Sequence, residues 1–134
     1  MLFLISLFVS VFSEASCEWI TDEKLTSINA STYQGCEDKL EQNDPNLPPS
    51  LETIGKSTFE GFTKLTGTLT IPINVTSIGD SAFARTGISG IVFEGNLVQS
   101  IGTSAFEECS SLTSISLPFS ISLISLILKM VVLA

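Results

Sequence analysis

The chain has 134 residues, enough for a single domain with a modest core, and it is acidic, with 14 Asp and Glu against 6 Lys and Arg. A net charge of −8 argues against nucleic acid or an anionic membrane surface as a partner, because both need cationic patches. The chain has no histidine, which removes the commonest general base and metal ligand. We therefore predict no enzymatic activity, no cofactor and no small-molecule substrate.

The first predicted element is a signal peptide over residues 1–15. Residues 1–12 (MLFLISLFVSVF) are apolar except for two serines, and the SEAS that follows offers small residues at cleavage positions. This predicts a secreted or cell-surface protein. The segment lacks the Lys or Arg that usually begins a signal peptide, so a buried hydrophobic first element of the fold is the alternative.

Residues 16–50 are predicted to form a degenerate N-terminal capping repeat. Ile28 and Tyr33 keep the five-residue spacing of the clear repeats that follow, but residues 42–49 have lost the strand pattern. Terminal repeats of a solenoid are typically irregular, because one of their faces meets water instead of a neighbour. Trp19 and Tyr33 are expected to pack in the core of this cap.

Two kinds of covalent modification are predicted in this part of the chain and just beyond it. Cys17 and Cys36 both precede the clear repeats and could form a disulfide bond that staples the N-terminal end of the core. The sequons Asn29-Ala-Ser and Asn74-Val-Thr would make both asparagines exposed glycosylation sites in a secreted protein.

The motif Ile-Gly-x-Ser-x-Phe occurs three times, at residues 54–59, 78–83 and 101–106. Its period of 23 to 24 residues indicates a solenoid. Each glycine is predicted to start a tight turn, because glycine adopts backbone conformations that other residues avoid. The next residues predict a short helical turn with its phenylalanine pointing inward, so that three rings stack in one buried column: Phe59, Phe83 and Phe106.

A short strand follows each motif. In the third copy, Ser114 and Ser116 alternate with Ile115 and Leu117, which is the period-2 pattern of a half-buried strand. The outward positions of the three strands form a candidate contact face that is small and mostly polar: Thr68, Thr70, Gly90, Val92, Ser114 and Ser116. The face has no Trp, Tyr or Arg to anchor a binding hot spot, so a solvated face without a ligand is the alternative.

The run SIGTSAFEECSSLTSISLP, at residues 100–118, resembles the BspA-like, or treponemal-type, leucine-rich repeat. The resemblance covers residues 51–124 well, as about three copies of 23–24 residues, and residues 25–50 loosely. It implies an α/β solenoid, a leucine-rich-repeat stack with a parallel β-sheet on one face and short helical turns on the other. Such proteins are similar to secreted and surface antigens linked to adhesion to host cells and matrix. The family's cysteine position is filled by other core residues in two copies, so Cys109 is expected to be buried and reduced.

Residues 125–134 are predicted to be an apolar C-terminal tail. Three interpretations stay open: a membrane anchor, although Lys129 interrupts it; a cleaved lipid-anchor signal; or a truncated chain whose stack lacks its C-terminal cap. The predicted function is protein–protein interaction, in adhesion to a host-surface or matrix protein. The alternative is a truncated, non-functional or purely structural fragment of a longer surface antigen.

Overall fold

Two parallel β-sheets run through residues 17–116, the part of the chain that this computed structural model describes, and they form a parallel β-solenoid of about four coils. The predicted signal peptide of residues 1–15 and the predicted tail of residues 125–134 lie outside the described residues. Within residues 17–116, no helix is long and apolar enough to cross a membrane.

Each coil contributes one strand to each sheet. The first sheet has the order β1-β3-β5-β7 and consists of two-residue strands: β1 Ser27–Ile28, β3 Thr53–Ile54, β5 Ser77–Ile78 and β7 Ser100–Ile101. The second sheet has the order β2-β4-β6-β8 and contains the longer strands: β2 Gln42–Asn43, β4 Leu65–Ile71, β6 Gly87–Phe93 and β8 Ser114–Ser116. We call these the short-strand sheet and the long-strand sheet.

Alternation along the long strands decides which side chains are buried. Leu69 and Ile71 of β4 pair in register with Ile91 and Phe93 of β6, and all four are buried. Successive side chains of a strand point to opposite faces, so this register places one apolar row after another inside the coil. The predicted stack of repeats with a parallel β-sheet on one face is therefore present in the described residues.

The predicted column of phenylalanine rings is confirmed. The ring centroids of Phe59 and Phe83 are 5.3 Å apart, those of Phe83 and Phe106 are also 5.3 Å apart, and both pairs are stacked. The column continues into the cap, where Tyr33 lies 5.2 Å from Phe59 and Trp19 stacks on Tyr33 at 6.0 Å. One aromatic stack thus joins the cap to the three clear repeats.

The predicted short helical turns are wrong for the segments that carry these phenylalanines. In the described residues the only helix is a 3₁₀ helix at Ala30–Tyr33. After Gly55, the amides of Ser57 and Phe59 donate to carbonyl oxygens of the next coil, at 2.9 and 2.7 Å. An α-helix needs each amide to bond four residues back, so bonding between coils replaces the helix with an open turn.

The repeated glycines also have a different role from the predicted one. Gly79 lacks the positive φ angle that would require glycine; the left-handed residue comes two positions later, at Ser81, with φ of 53°. Instead, consecutive coils approach so closely that a Cβ on Gly79 would lie 2.5 Å from the backbone nitrogen of Lys56. Glycine is therefore required for close approach between coils, not for the shape of the turn.

Candidate interaction surface

The long-strand sheet carries the predicted contact residues on its outer side. Its register brings them into two rows across three strands, one of Thr68, Gly90 and Ser114 and the other of Thr70, Val92 and Ser116. Ser114 and Ser116 are exposed, whereas Thr68, Thr70 and Val92 are half-buried.

Gly90 differs from the other five residues because it is buried. A Cβ at this position would lie 2.7 Å from Ser114 Oγ and 3.3 Å from Thr68 Oγ1. The absent side chain therefore lets the two hydroxyl groups converge over the backbone of β6. We call the five side chains that remain the long-strand face: Thr68, Thr70, Val92, Ser114 and Ser116.

The long-strand face is electrically neutral, because β4, β6 and β8 contain no charged residue. A charged group borders the face at Asp44, whose exposed carboxylate accepts a 2.7 Å hydrogen bond from the Thr68 amide. Sequence reasoning missed this contact, because the two residues are 24 positions apart and only the register of the coils brings them together.

Two exposed ion pairs connect neighbouring coils beside the sheets. Lys64 Nζ lies 2.8 Å from Glu41 Oε1, and this hydrogen bond raises the pKa of Lys64 and lowers that of Glu41. Arg85 lies 2.7 Å from Glu60, whose pKa is lowered first by a hydrogen bond to the Ser57 side chain and further by Arg85. Exposed pairs of this kind are screened by solvent and contribute little to stability, so they assist the alignment of coils and do not determine it.

A shallow groove of about 370 Å³ runs along the short-strand sheet and was not predicted from the sequence. Its lining includes the three repeated glycines: Gly55, Gly79 and Gly102. Its rim includes the hydroxyl side chains of Thr53, Ser77 and Ser100. Within residues 17–116, no group of His, Cys, Asp and Glu side chains could hold a metal ion.

The N-terminal end of the stack is closed by residues 17–20. Cys17 and Cys36 form a disulfide bond with a Cα–Cα distance of 5.4 Å. The indole nitrogen of Trp19 donates to the carbonyl oxygen of Asn46 at 2.9 Å, and the amide of Ile20 donates to the Tyr33 hydroxyl at 3.0 Å. Burial raises the pKa of Tyr33 to about 12, although the bond from Ile20 acts in the opposite direction.

Both sequon asparagines are exposed. Asn29 caps the 3₁₀ helix, where its side-chain oxygen accepts a 3.0 Å bond from the Ser31 amide. Asn74 lies in the turn between β4 and β5, and its side-chain nitrogen donates to the Pro49 carbonyl oxygen at 2.9 Å.

Cys109 is a free thiol that is half-buried, and not fully buried as expected. Its sulfur donates to the carbonyl oxygen of Phe83 at 3.1 Å and lies 3.3 Å from Thr86 Oγ1. These two partners belong to the preceding coil, so the thiol packs against that coil as an internal side chain. No base lies among its hydrogen-bond partners, and a nucleophilic role therefore has no support.

The coils are parallel, each contributes one strand to each sheet, and their inward side chains form an apolar ladder, which is the architecture of a parallel β-solenoid. A family model described as a BspA type leucine rich repeat region matches residues 26–126 with six copies. The chain therefore belongs to the BspA-type leucine-rich-repeat family, and the resemblance recognised in the sequence is confirmed.

One solved structure, a leucine-rich repeat protein from Bacteroides ovatus ATCC 8483, is similar to the chain with 34% sequence identity and a TM-score of 0.51. The match covers 72% of this chain but only 26% of the Bacteroides protein, so the chain spans about a quarter of that protein's length. No curated protein matches the chain. Repeats of this family generally form interaction scaffolds without enzymatic activity, and no catalytic family is matched.

Proposed function

We propose that this chain is a secreted or cell-surface module that binds proteins through its long-strand face and acts in adhesion to host cells or extracellular matrix. The observation that carries the proposal is that face, five uncharged side chains at alternate positions of three parallel strands in register. Proteins with BspA-type repeats are often secreted or displayed on surfaces, and their repeats generally mediate protein–protein interaction, which supports the proposal.

The size of the face predicts weak binding by a single copy. Three strands at a spacing of about 4.8 Å, each of seven residues at most, present roughly 300 Å². A stable protein–protein interface buries about 800 Å² on each partner, so this face alone reaches less than half of that area. Adhesion would therefore depend on many copies acting together, because linked binding events raise avidity without any new contact.

Because the face is uncharged, we also predict how its binding responds to salt. Binding between charged surfaces weakens steeply as salt screens the charges, whereas contacts among uncharged side chains change little. We therefore expect adhesion through the long-strand face to be nearly independent of ionic strength. Adhesion through the acidic residues of the chain would instead fall as salt is added.

A bead assay tests the proposal. The purified full chain is attached to beads at increasing density, and the beads are washed over host epithelial cells and over surfaces coated with purified matrix proteins, at low and high salt. The control beads carry the same number of reduced, alkylated and unfolded chains. We expect the number of retained beads to rise more steeply than in proportion to the density of attached chains. We also expect it to change little with salt.

Two results would contradict the proposal. The first is retention equal to that of the unfolded control at every density, because a folded face then has no role. The second is retention that is lost in high salt, because the charged surfaces and not the long-strand face would then carry the binding.

A further inference from the structure

An apolar corner lies where the long strands turn towards the short strands. Within residues 17–116, the exposed large hydrophobic side chains are Ile73 and Leu97, 53% and 47% exposed. A Cβ on Gly95 would lie 2.9 Å from Ile73 Cγ1, so the Ile73 side chain packs against the backbone of the following coil at Gly95. Leu97 belongs to that same coil, two residues after Gly95. Single exposed hydrophobic residues are ordinary, but two in adjacent coils offer an apolar surface that another group can cover. We call these two residues the apolar corner.

A glycosylation sequon begins next to the apolar corner. Asn74 directly follows Ile73 in the chain. The register that pairs Ile71 with Phe93 places Asn74 opposite Asn96 of the next coil, and the register that pairs Ser77 with Ser100 places it opposite Leu97, so one residue is inserted in this turn. Ile73 is thus next to the asparagine along the chain, and Leu97 lies opposite it or one residue further in the next coil.

The side-chain amide of Asn74 is oriented by a hydrogen bond. Its nitrogen donates one hydrogen to the carbonyl oxygen of Pro49, in the preceding coil, at 2.9 Å. A sugar would replace the second hydrogen of that nitrogen. Because the two hydrogens of an amide point in different directions, the bond to the sugar does not point at Pro49.

We propose that an N-linked oligosaccharide on Asn74 packs its first sugar over the apolar corner and shields Ile73 and Leu97 from water. One side of a pyranose ring consists largely of C–H groups, which suits contact with aliphatic side chains. In the transfer, the Asn74 nitrogen bonds to the anomeric carbon of a lipid-linked oligosaccharyl pyrophosphate. The bond from that carbon to the pyrophosphate breaks, the pyrophosphate leaves with the bonding electrons, and the amide loses one proton. The proposal rests on the export proposed above, since that route supplies the donor.

The second sequon is an internal control. Asn29 is exposed, but its sequence neighbours Ile28 and Ala30 are respectively buried and small, and its side-chain oxygen is occupied by Ser31. No exposed large hydrophobic residue of the described chain lies beside it in sequence. A sugar on Asn29 therefore has no apolar patch to cover.

The test uses the full chain secreted from a eukaryotic host, with mass spectrometry to give the occupancy of each sequon. An endoglycosidase then trims every glycan to its first sugar. Retention on a hydrophobic-interaction column is compared among the wild type, Asn74→Gln and Asn29→Gln. We expect Asn29→Gln to elute with the wild type and Asn74→Gln to elute later. Adding Ile73→Ser and Leu97→Ser to Asn74→Gln should return the elution to that of the wild type.

Three outcomes would overturn the proposal. One is a secreted chain with Asn74 unmodified, and another is equal retention of the two single variants. The third is a glycosylated dimer that Ile73→Ser and Leu97→Ser dissociate, because a second copy would then cover the corner. The bead assay does not need a sugar, so a failure of adhesion and a failure of this proposal are separate results.

Discussion

At the residue scale, the closest contacts between coils are the places where the sequence tolerates least change. A Cβ on Gly79 would approach backbone atoms of Lys56 and Gly55 to within 2.5–2.9 Å, and backbone cannot rotate away as a side chain can. A Cβ on Gly55 would meet Asn29 and Ile28 at 3.0 Å or more, which a small shift can relieve.

We therefore predict that Gly79→Ala lowers the free energy of unfolding by about 1–3 kcal/mol, the usual cost of overpacking. Gly55→Ala should cost clearly less. Urea denaturation of both variants, fitted with the same dependence of the unfolding free energy on urea concentration, measures the difference. Equal effects of the two substitutions would contradict the close-approach explanation and favour a general requirement for glycine in the turn.

The buried hydroxyl of Tyr33 gives a second residue-scale prediction, because it is the only tyrosine in the chain. Its pKa of about 12 in the folded protein lies above the ordinary value of 10.0, so the protonated form is favoured by folding. The stability that this contributes is complete below about pH 10 and is lost as the pH rises towards 12. The near-ultraviolet absorbance of tyrosinate should titrate near pH 12 in water and near pH 10 in concentrated denaturant. Titration near pH 10 in both solvents would show that the cap leaves this hydroxyl in water.

At the scale of elements, the aromatic column is the feature that connects one coil to the next through the core. Phe83 is fully buried and stacks on Phe59 on one side and Phe106 on the other, each at 5.3 Å. Removing the middle ring therefore leaves a cavity between two coils and breaks both stacks.

We predict that Phe83→Ala lowers the free energy of unfolding by about 3–5 kcal/mol, and that Phe83→Leu costs less because it fills more of the cavity. Denaturant unfolding followed by circular dichroism measures both. If Phe83→Ala fails to fold, the free energy of unfolding of Phe83→Leu can still be compared with that of the wild type. A loss below about 1 kcal/mol for Phe83→Leu, together with a similar loss for Phe83→Ala, would show that the column does not stabilise the stack.

The elements that could be predicted from the sequence are those whose residues recur at a regular spacing. The strand of Ser114–Ser116 shows as alternation of neighbouring residues, and the column of Phe83 shows as a fixed place within each repeat. The turn at Ser57–Phe59 could not be predicted correctly, because its amides bond to the next coil and not within the segment. The Asp44–Thr68 contact has the same cause. Sequence patterns report which residues face inward, whereas bonding between coils depends on their exact register.

At the scale of the whole molecule, the N-terminal end of the described stack is closed by a disulfide and two hydrogen bonds. The Cys17–Cys36 bond spans 19 positions. A closed loop of that length restricts the unfolded chain by about 3 kcal/mol.

We predict that the double variant Cys17→Ala and Cys36→Ala loses about 3 kcal/mol of stability, and that reducing agent has no further effect on it. The single variant Cys109→Ala is the control for removing a thiol outside the cap. Thermal unfolding with and without reductant checks the prediction. An unchanged melting temperature on reduction of the wild type would contradict the role assigned to the cap.

We expect this neutral sheet surface to be where the molecule contacts its partner. The most direct test compares two double variants of equal charge in the bead assay, each first shown by circular dichroism to be folded. Thr70→Arg with Ser116→Arg alters the long-strand face, whereas Gln99→Arg with Ser110→Arg adds the same charge at exposed positions outside it. We expect the first pair to abolish retention, because two long charged side chains would prevent close approach, and the second pair to retain it. Equal retention of both pairs, or loss only in the second, would contradict the claim.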